Sequence, residues 1–192
     1  PSGSYLEQAQ PKALERFEAE LGRLASLGYE IVRVEAFADI DAINERHRRI
    51  AAAELAAVHR DWYLLHGGLY APKTAELIER GRVIDAETLD RDLKGRAVLR
   101  AQLESALASA GAEFWLSPAA PGPAPLGIES TGDPVMNLPW THAGLPTLVL
   151  PGYESPDGLP LGLQIAAPFG ADEALLAFGQ VLELRLRAGT LP

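Results

Sequence analysis

In a chain without cysteine, serine, histidine and lysine are the side chains from which a nucleophile and its base could be built, and all three are present. Ser2 and Ser4 sit in Pro-Ser-Gly-Ser. A serine nucleophile needs an adjacent base and a glycine-rich or strained seat that turns backbone N–H groups toward an oxyanion. The sequence has neither a Gly-x-Ser-x-Gly elbow nor a Ser-x-x-Lys pair. Lys12, Lys73 and Lys94 fall on or beside amphipathic helical stretches, where lysine is normally solvated. His47 and Glu54 are seven residues apart, as are His59 and His66. That spacing places each pair on one helix face but lacks the i, i+4 step with which two imidazoles hold one metal. Gly67-Gly68 and Gly122 lack the companions of a phosphate-cradling loop. The residues alone therefore assign no catalytic group, no metal ligand and no cofactor.

The elements that would position any site follow from periodicity. Leu14, Phe17, Leu21, Leu24 and Leu27 predict a helix over 8–27, stopped by Gly28. Tyr29 to Val34 alternates as a strand does. Asp39 or Asp41 is placed to cap a long helix through Leu65, in which Glu54, His59, Trp62 and Tyr63 form a candidate pocket rim. A short helix over 74–80 stops at Gly81, and another long one spans 85–110, with Gly95 inside it. Phe114-Trp115-Leu116 is a short strand. Four prolines between 118 and 125 then fix an extended path. Asp133-Pro134 opens a short helix closed by Gly144. Thr147–Leu150 and Leu161–Ala166 predict an antiparallel pair, and Asp172 to Arg187 a last helix.

Helices and strands alternate, so the class is α/β, with helices covering a sheet. Few short strands stand against long helices, which predicts the C-terminal part of a larger mixed sheet rather than a complete one. The 192 residues carry a net charge of −9. That charge argues against non-specific binding to nucleic acid or an anionic membrane. No apolar run approaches the ~20 residues of a membrane span. With no cysteine and no signal-like stretch, the expectation is a soluble, cytoplasmic chain.

The most informative stretch runs from 131 to 168. It reads Thr-Gly-Asp-Pro-Val-Met-Asn-Leu-Pro-Trp-Thr-His-Ala-Gly-Leu-Pro, then Thr-Leu-Val-Leu-Pro-Gly. Gly158-Leu-Pro-Leu-Gly-Leu-Gln-Ile-Ala-Ala-Pro168 follows. This succession resembles the carboxy-terminal segment of the amidase signature family, densely over 114–187 and in ordered patches over 5–112. The resemblance implies hydrolysis of a carboxamide by a serine, with a cis-peptide serine relaying a proton to a lysine. It also implies a Gly-Gly-Ser-Ser-Gly-Gly-Ser type run, which this sequence lacks. Residues 1–192 would then form the C-terminal portion of an amidase-like domain, helix-rich over 1–112 and pocket-side over 113–192. The partners implied are the N-terminal catalytic half of the parent chain and a small-molecule amide substrate, and isolated residues 1–192 would be inactive. Thr131, Asn137, Trp140, Thr141 and His142 would face the substrate. A non-catalytic binding or scaffold module, its apolar helix faces buried in a homo-oligomer, is the alternative. An unrelated α/β enzyme using His142 with a distant acid is the third reading.

Overall fold

The computed structural model describes residues 1–188. Seven α-helices and three strands succeed one another along them: α1 (Ser4–Glu7), α2 (Pro11–Ser26), α3 (Ile40–His66), α4 (Pro72–Arg82), α5 (Ala86–Ser109), β1 (Trp115–Pro118), α6 (Leu138–Ala143), β2 (Thr147–Glu154), β3 (Pro160–Ala166) and α7 (Asp172–Ala188). Single 3₁₀ turns at Gly67–Leu69 and Pro134–Met136 lead into α4 and α6. The class is α/β, as the alternation of elements predicts.

The sheet has the order β1-β3-β2 and both pairings are antiparallel. β3 is central, and its Leu163 and Ile165 are wholly buried. Phe17, Leu21 and Leu24 of α2, Leu99, Leu103 and Leu107 of α5, and Leu175 and Leu182 of α7 close over it in one continuous core. β2 runs four residues past the predicted end at Leu150, straight through Pro151. β2 lies at a sheet edge, where a residue without N–H is tolerated, and the ladder absorbs it as an irregularity between Pro151 and Tyr153.

Two further expectations change. Residues 29–34 are extended but form no strand, because no ladder partner lies beside them. Gly81 does not stop α4, which continues to Arg82. A Cβ at Gly81 would stand 1.9 Å from the carbonyl oxygen of Ala52 and 2.8 Å from the Ala56 methyl group. The glycine is there so that α4 can lie directly on the backbone of α3. Gly144 does act as predicted: at φ 72° it is the left-handed residue that ends α6.

Candidate functional site

Asp133 begins the pocket-side segment by accepting the Val135 N–H at 3.1 Å, and Pro134 supplies the fixed φ of the first helical position. The resulting turn and α6 carry four of the five expected substrate-facing residues. Asn137, half-buried, donates from Nδ2 to the Ala119 carbonyl at 3.2 Å. Gln10 N–H donates to the Pro121 carbonyl at 2.7 Å. These two bonds tie the proline-rich stretch to α6 on one side and to the start of α2 on the other. Between them opens a groove walled by Pro121–Pro125, Ser130–Pro134 and Gln10. Thr131 is exposed and lies on its rim.

The structure separates the five residues by depth. Thr131 and Thr141 are exposed, on the groove rim and on the outer face of α6. Trp140 and His142 are 1% and 0% exposed, so their side chains stand in the core rather than on a cleft wall. The Trp140 indole donates to the Tyr5 hydroxyl at 2.9 Å, and that hydroxyl donates to the Met136 carbonyl at 2.8 Å. Phe37 packs edge-on to the Trp140 ring at 4.9 Å and tilted on Tyr5 at 4.9 Å. It does so at φ 62°, a left-handed backbone that a bulky residue adopts only when its surroundings hold it there. Gln164 of β3 donates to the Ser117 hydroxyl at 3.1 Å and to the Met136 carbonyl at 3.3 Å. Tyr5, Ser117 and Gln164 thus brace the turn before α6. Periodicity did not mark them, because their partners are 28 to 131 residues away.

His142 sits where α6 crosses α3 and α5. Neither ring nitrogen has a hydrogen-bond partner. The His47 ring is 6.0 Å away, edge-on. Burial, helped by His47, Arg46 and Arg96, lowers the His142 pKa to about 4. Burial and Arg96 also hold His47 below its ordinary value. Nearby, Arg49 grips the buried Asp92 carboxylate through two bonds of 2.6 and 2.9 Å. Arg96 donates to the His142 carbonyl at 3.1 Å and Arg100 to the Ala143 carbonyl at 2.8 Å. Both cations meet the carboxyl end of α6, where the helix dipole favours them. A fully buried imidazole cannot reach a substrate, so the structure gives no support to an enzyme built on His142 and a distant acid.

The pocket rim expected on α3 is partly assembled. His59 Nδ1 lies 2.8 Å from the Tyr70 hydroxyl, and Trp62 and Tyr63 pack edge-on to His59 and Tyr70. Glu54 stands apart, exposed and within electrostatic reach of His47. Tyr70 is the member that the helical pattern missed, since it lies beyond the end of α3.

Comparison with known proteins places this geometry. The sequence profile of the Amidase family matches residues 3–176. An indoleacetamide hydrolase of Allorhizobium ampelinum is 36% identical over 104 residues, which are 47% of this chain and 22% of that protein. A glutamyl-tRNA(Gln) amidotransferase subunit of Rhodopirellula baltica is 27% identical over 175 residues, 81% of this chain and 35% of its own length. A solved amidase structure superposes with a TM-score of 0.85 at 29% identity, over 95% of this chain and 44% of the other. The chain therefore spans between about a fifth and under half of the proteins that it resembles. A profile running through almost every element from α1 to the start of α7, on a fold that superposes so closely, leaves one assignment: the chain belongs to the amidase family.

Proposed function

We propose that these residues are the carboxy-terminal portion of an amidase-type hydrolase that cleaves the C–N bond of a small-molecule carboxamide. The nucleophilic serine, the cis-peptide relay serine and the lysine belong to the amino-terminal catalytic half of the parent chain. The serine oxygen attacks the amide carbonyl while its proton passes through the relay serine to the lysine. Collapse of the tetrahedral intermediate expels the amine, which takes up that proton, and water then releases the acid from the acyl-serine. Residues 1–192 supply scaffold and one wall of the pocket. Thr131 and Asn137 contribute from the groove, Thr141 from the exposed face of α6, and Trp140 and His142 act from beneath by fixing the helix. A cytoplasmic location and assembly into a homo-oligomer belong to the same reading.

One observation carries the proposal. The family match runs through residues 3–176, yet the sequence contains no glycine- and serine-rich run that could seat the nucleophile. The exposed apolar side chains Val58, Trp62, Leu65 and Leu69 agree with a surface that meets more protein. Amide hydrolysis by the full-length parent, set beside the isolated residues 1–192, tests it. The parent should turn over carboxamides and the isolated chain should not. A parent that hydrolyses no amide would leave a binding or scaffold module in place of an enzyme.

A further inference from the structure

Residues 29–34 and β1 are two strand-like edges facing one cleft. Ser2 N–H donates to the Val34 carbonyl at 2.8 Å, and a parallel bridge joins Ser2 to Glu35. Among the described residues no other backbone–backbone hydrogen bond reaches 30–34. With a period of two, the N–H and C=O groups of Val32 and Glu30 face the same side as those of Val34. On the opposite wall, β1 pairs Trp115 with Ala166 and Ser117 with Gln164, and Ala119 N–H donates to the Gly162 carbonyl at 3.0 Å. Antiparallel alternation then turns the N–H and C=O of Leu116 away from β3. Ile31, Val32, Val34 and Pro1 line the cleft together with Trp115 and Leu116. At its far end the Phe178 ring stands between Phe114, stacked at 4.3 Å, and Tyr29, edge-on at 6.0 Å. A ring wedged there separates the two backbones by the order of 10 Å, two inter-strand spacings.

We propose that this cleft receives one extended strand, the polypeptide immediately preceding Pro1 in the full-length amidase, running parallel to residues 29–34 and joining them to β1. The inference rests on the reading of residues 1–192 as the carboxy-terminal portion of that enzyme. Three features select this occupant over any other. Pro1 already lies in the cleft mouth, so the chain entering it from upstream passes between the walls. The bridge of Ser2 to Glu35 sets the register: the residue before Pro1 donates to the Val32 carbonyl, and the second residue before Pro1 lies opposite Val32. That second residue turns its own N–H toward Leu116. The solved amidase leaves more than half of its length outside the match, ample chain to supply a strand. The added strand satisfies both rows of open backbone groups, which are costly to leave unpaired once covered.

Amide hydrogen exchange on the full-length protein tests this. The N–H groups of Val32 and Leu116 should exchange at least 100-fold more slowly than that of Asp157 in the exposed β2–β3 loop. Exchange of both at the rate of Asp157 would overturn the proposal. A second measurement fixes the register in a full-length protein freed of any cysteine. Val32→Cys should form a disulfide with a cysteine at the second residue before Pro1. It should form none with a cysteine at the residue on either side, whose side chain points to the opposite sheet face. Absent or indiscriminate cross-linking would also contradict it. Carboxamide hydrolysis by the same protein separates the two readings. Hydrolysis with a freely exchanging cleft removes the strand alone, and a protected cleft without hydrolysis removes the catalytic proposal alone.

Discussion

The indole N–H of Trp140 donates to the hydroxyl of Tyr5 at 2.9 Å across 135 residues of sequence, tying α6 to α1. Because the same hydroxyl donates onward to the Met136 carbonyl at 2.8 Å, one phenol satisfies two buried partners at the turn that aims α6. Burial holds the Tyr5 hydroxyl protonated far above the usual tyrosine range, so it remains a donor at any working pH. Tyr5→Phe keeps the ring contacts with Phe37 and Trp140 but strands an indole N–H and a carbonyl. The expected cost is about 1–3 kcal/mol, read as a lower midpoint in urea unfolding. An unchanged midpoint would mean that the ring contacts alone hold α6.

The contact of Gly81 with the Ala52 carbonyl makes a second prediction. Gly81→Ala raises intrinsic helix propensity by ~1 kcal/mol, which would stabilise an unconstrained helix. Here the new methyl group collides with backbone, which cannot rotate aside, so the net effect should be destabilisation by about 1–3 kcal/mol. Thermal unfolding distinguishes the signs directly: a raised Tm contradicts the packing of α4 on α3.

His142 predicts acid lability. Its folded pKa of about 4 lies below the unfolded value of ~6.5, so the unfolded chain binds the proton more tightly. Stability is complete above pH 6.5 and is lost as the pH falls from there through 4. The whole shift corresponds to up to about 3 kcal/mol. His47 and Arg46 on α3 and Arg96 on α5 oppose the protonated form, while Asp92 favours it. His142→Gln should flatten the pH dependence of unfolding between 6.5 and 4. A slope identical to that of the parent protein would assign the acid response to other groups.

Asn137 ties α6 to the proline-rich stretch through Ala119, and that stretch walls the groove on which Thr131 sits. In the full-length protein, Asn137→Ala should lower kcat/KM for an amide substrate by about tenfold, on the order of one lost hydrogen bond at the pocket wall. Thr141→Ala, on the exposed face of α6, should raise KM with little change in kcat. Equal activity in both variants would move the pocket wall away from α6.

The helices were legible because their apolar spacing is local: α2, α3, α5 and α7 were placed to within a few residues by their own patterns. The motif from 131 to 168 likewise located α6, β2 and β3. What escaped depends on partners far away in sequence. Residues 29–34 alternate as a strand, but a strand needs a neighbour, and none stands beside them. Gly81 looks like a stop because nothing local reveals the carbonyl of Ala52 against it. Trp140 and His142 have residue types suited to a pocket, and only the three-dimensional packing of α1, α3 and α5 around them shows that they are buried.

The central claim is that the reacting serine lies outside residues 1–192 while these residues wall the pocket. Treatment of the active full-length protein with a fluorophosphonate, followed by peptide mass mapping, tests it most directly. The label should fall on one serine upstream of Pro1 and abolish amide hydrolysis. A label on Ser2, Ser4 or any other serine of residues 1–192, with the same loss of activity, would contradict it.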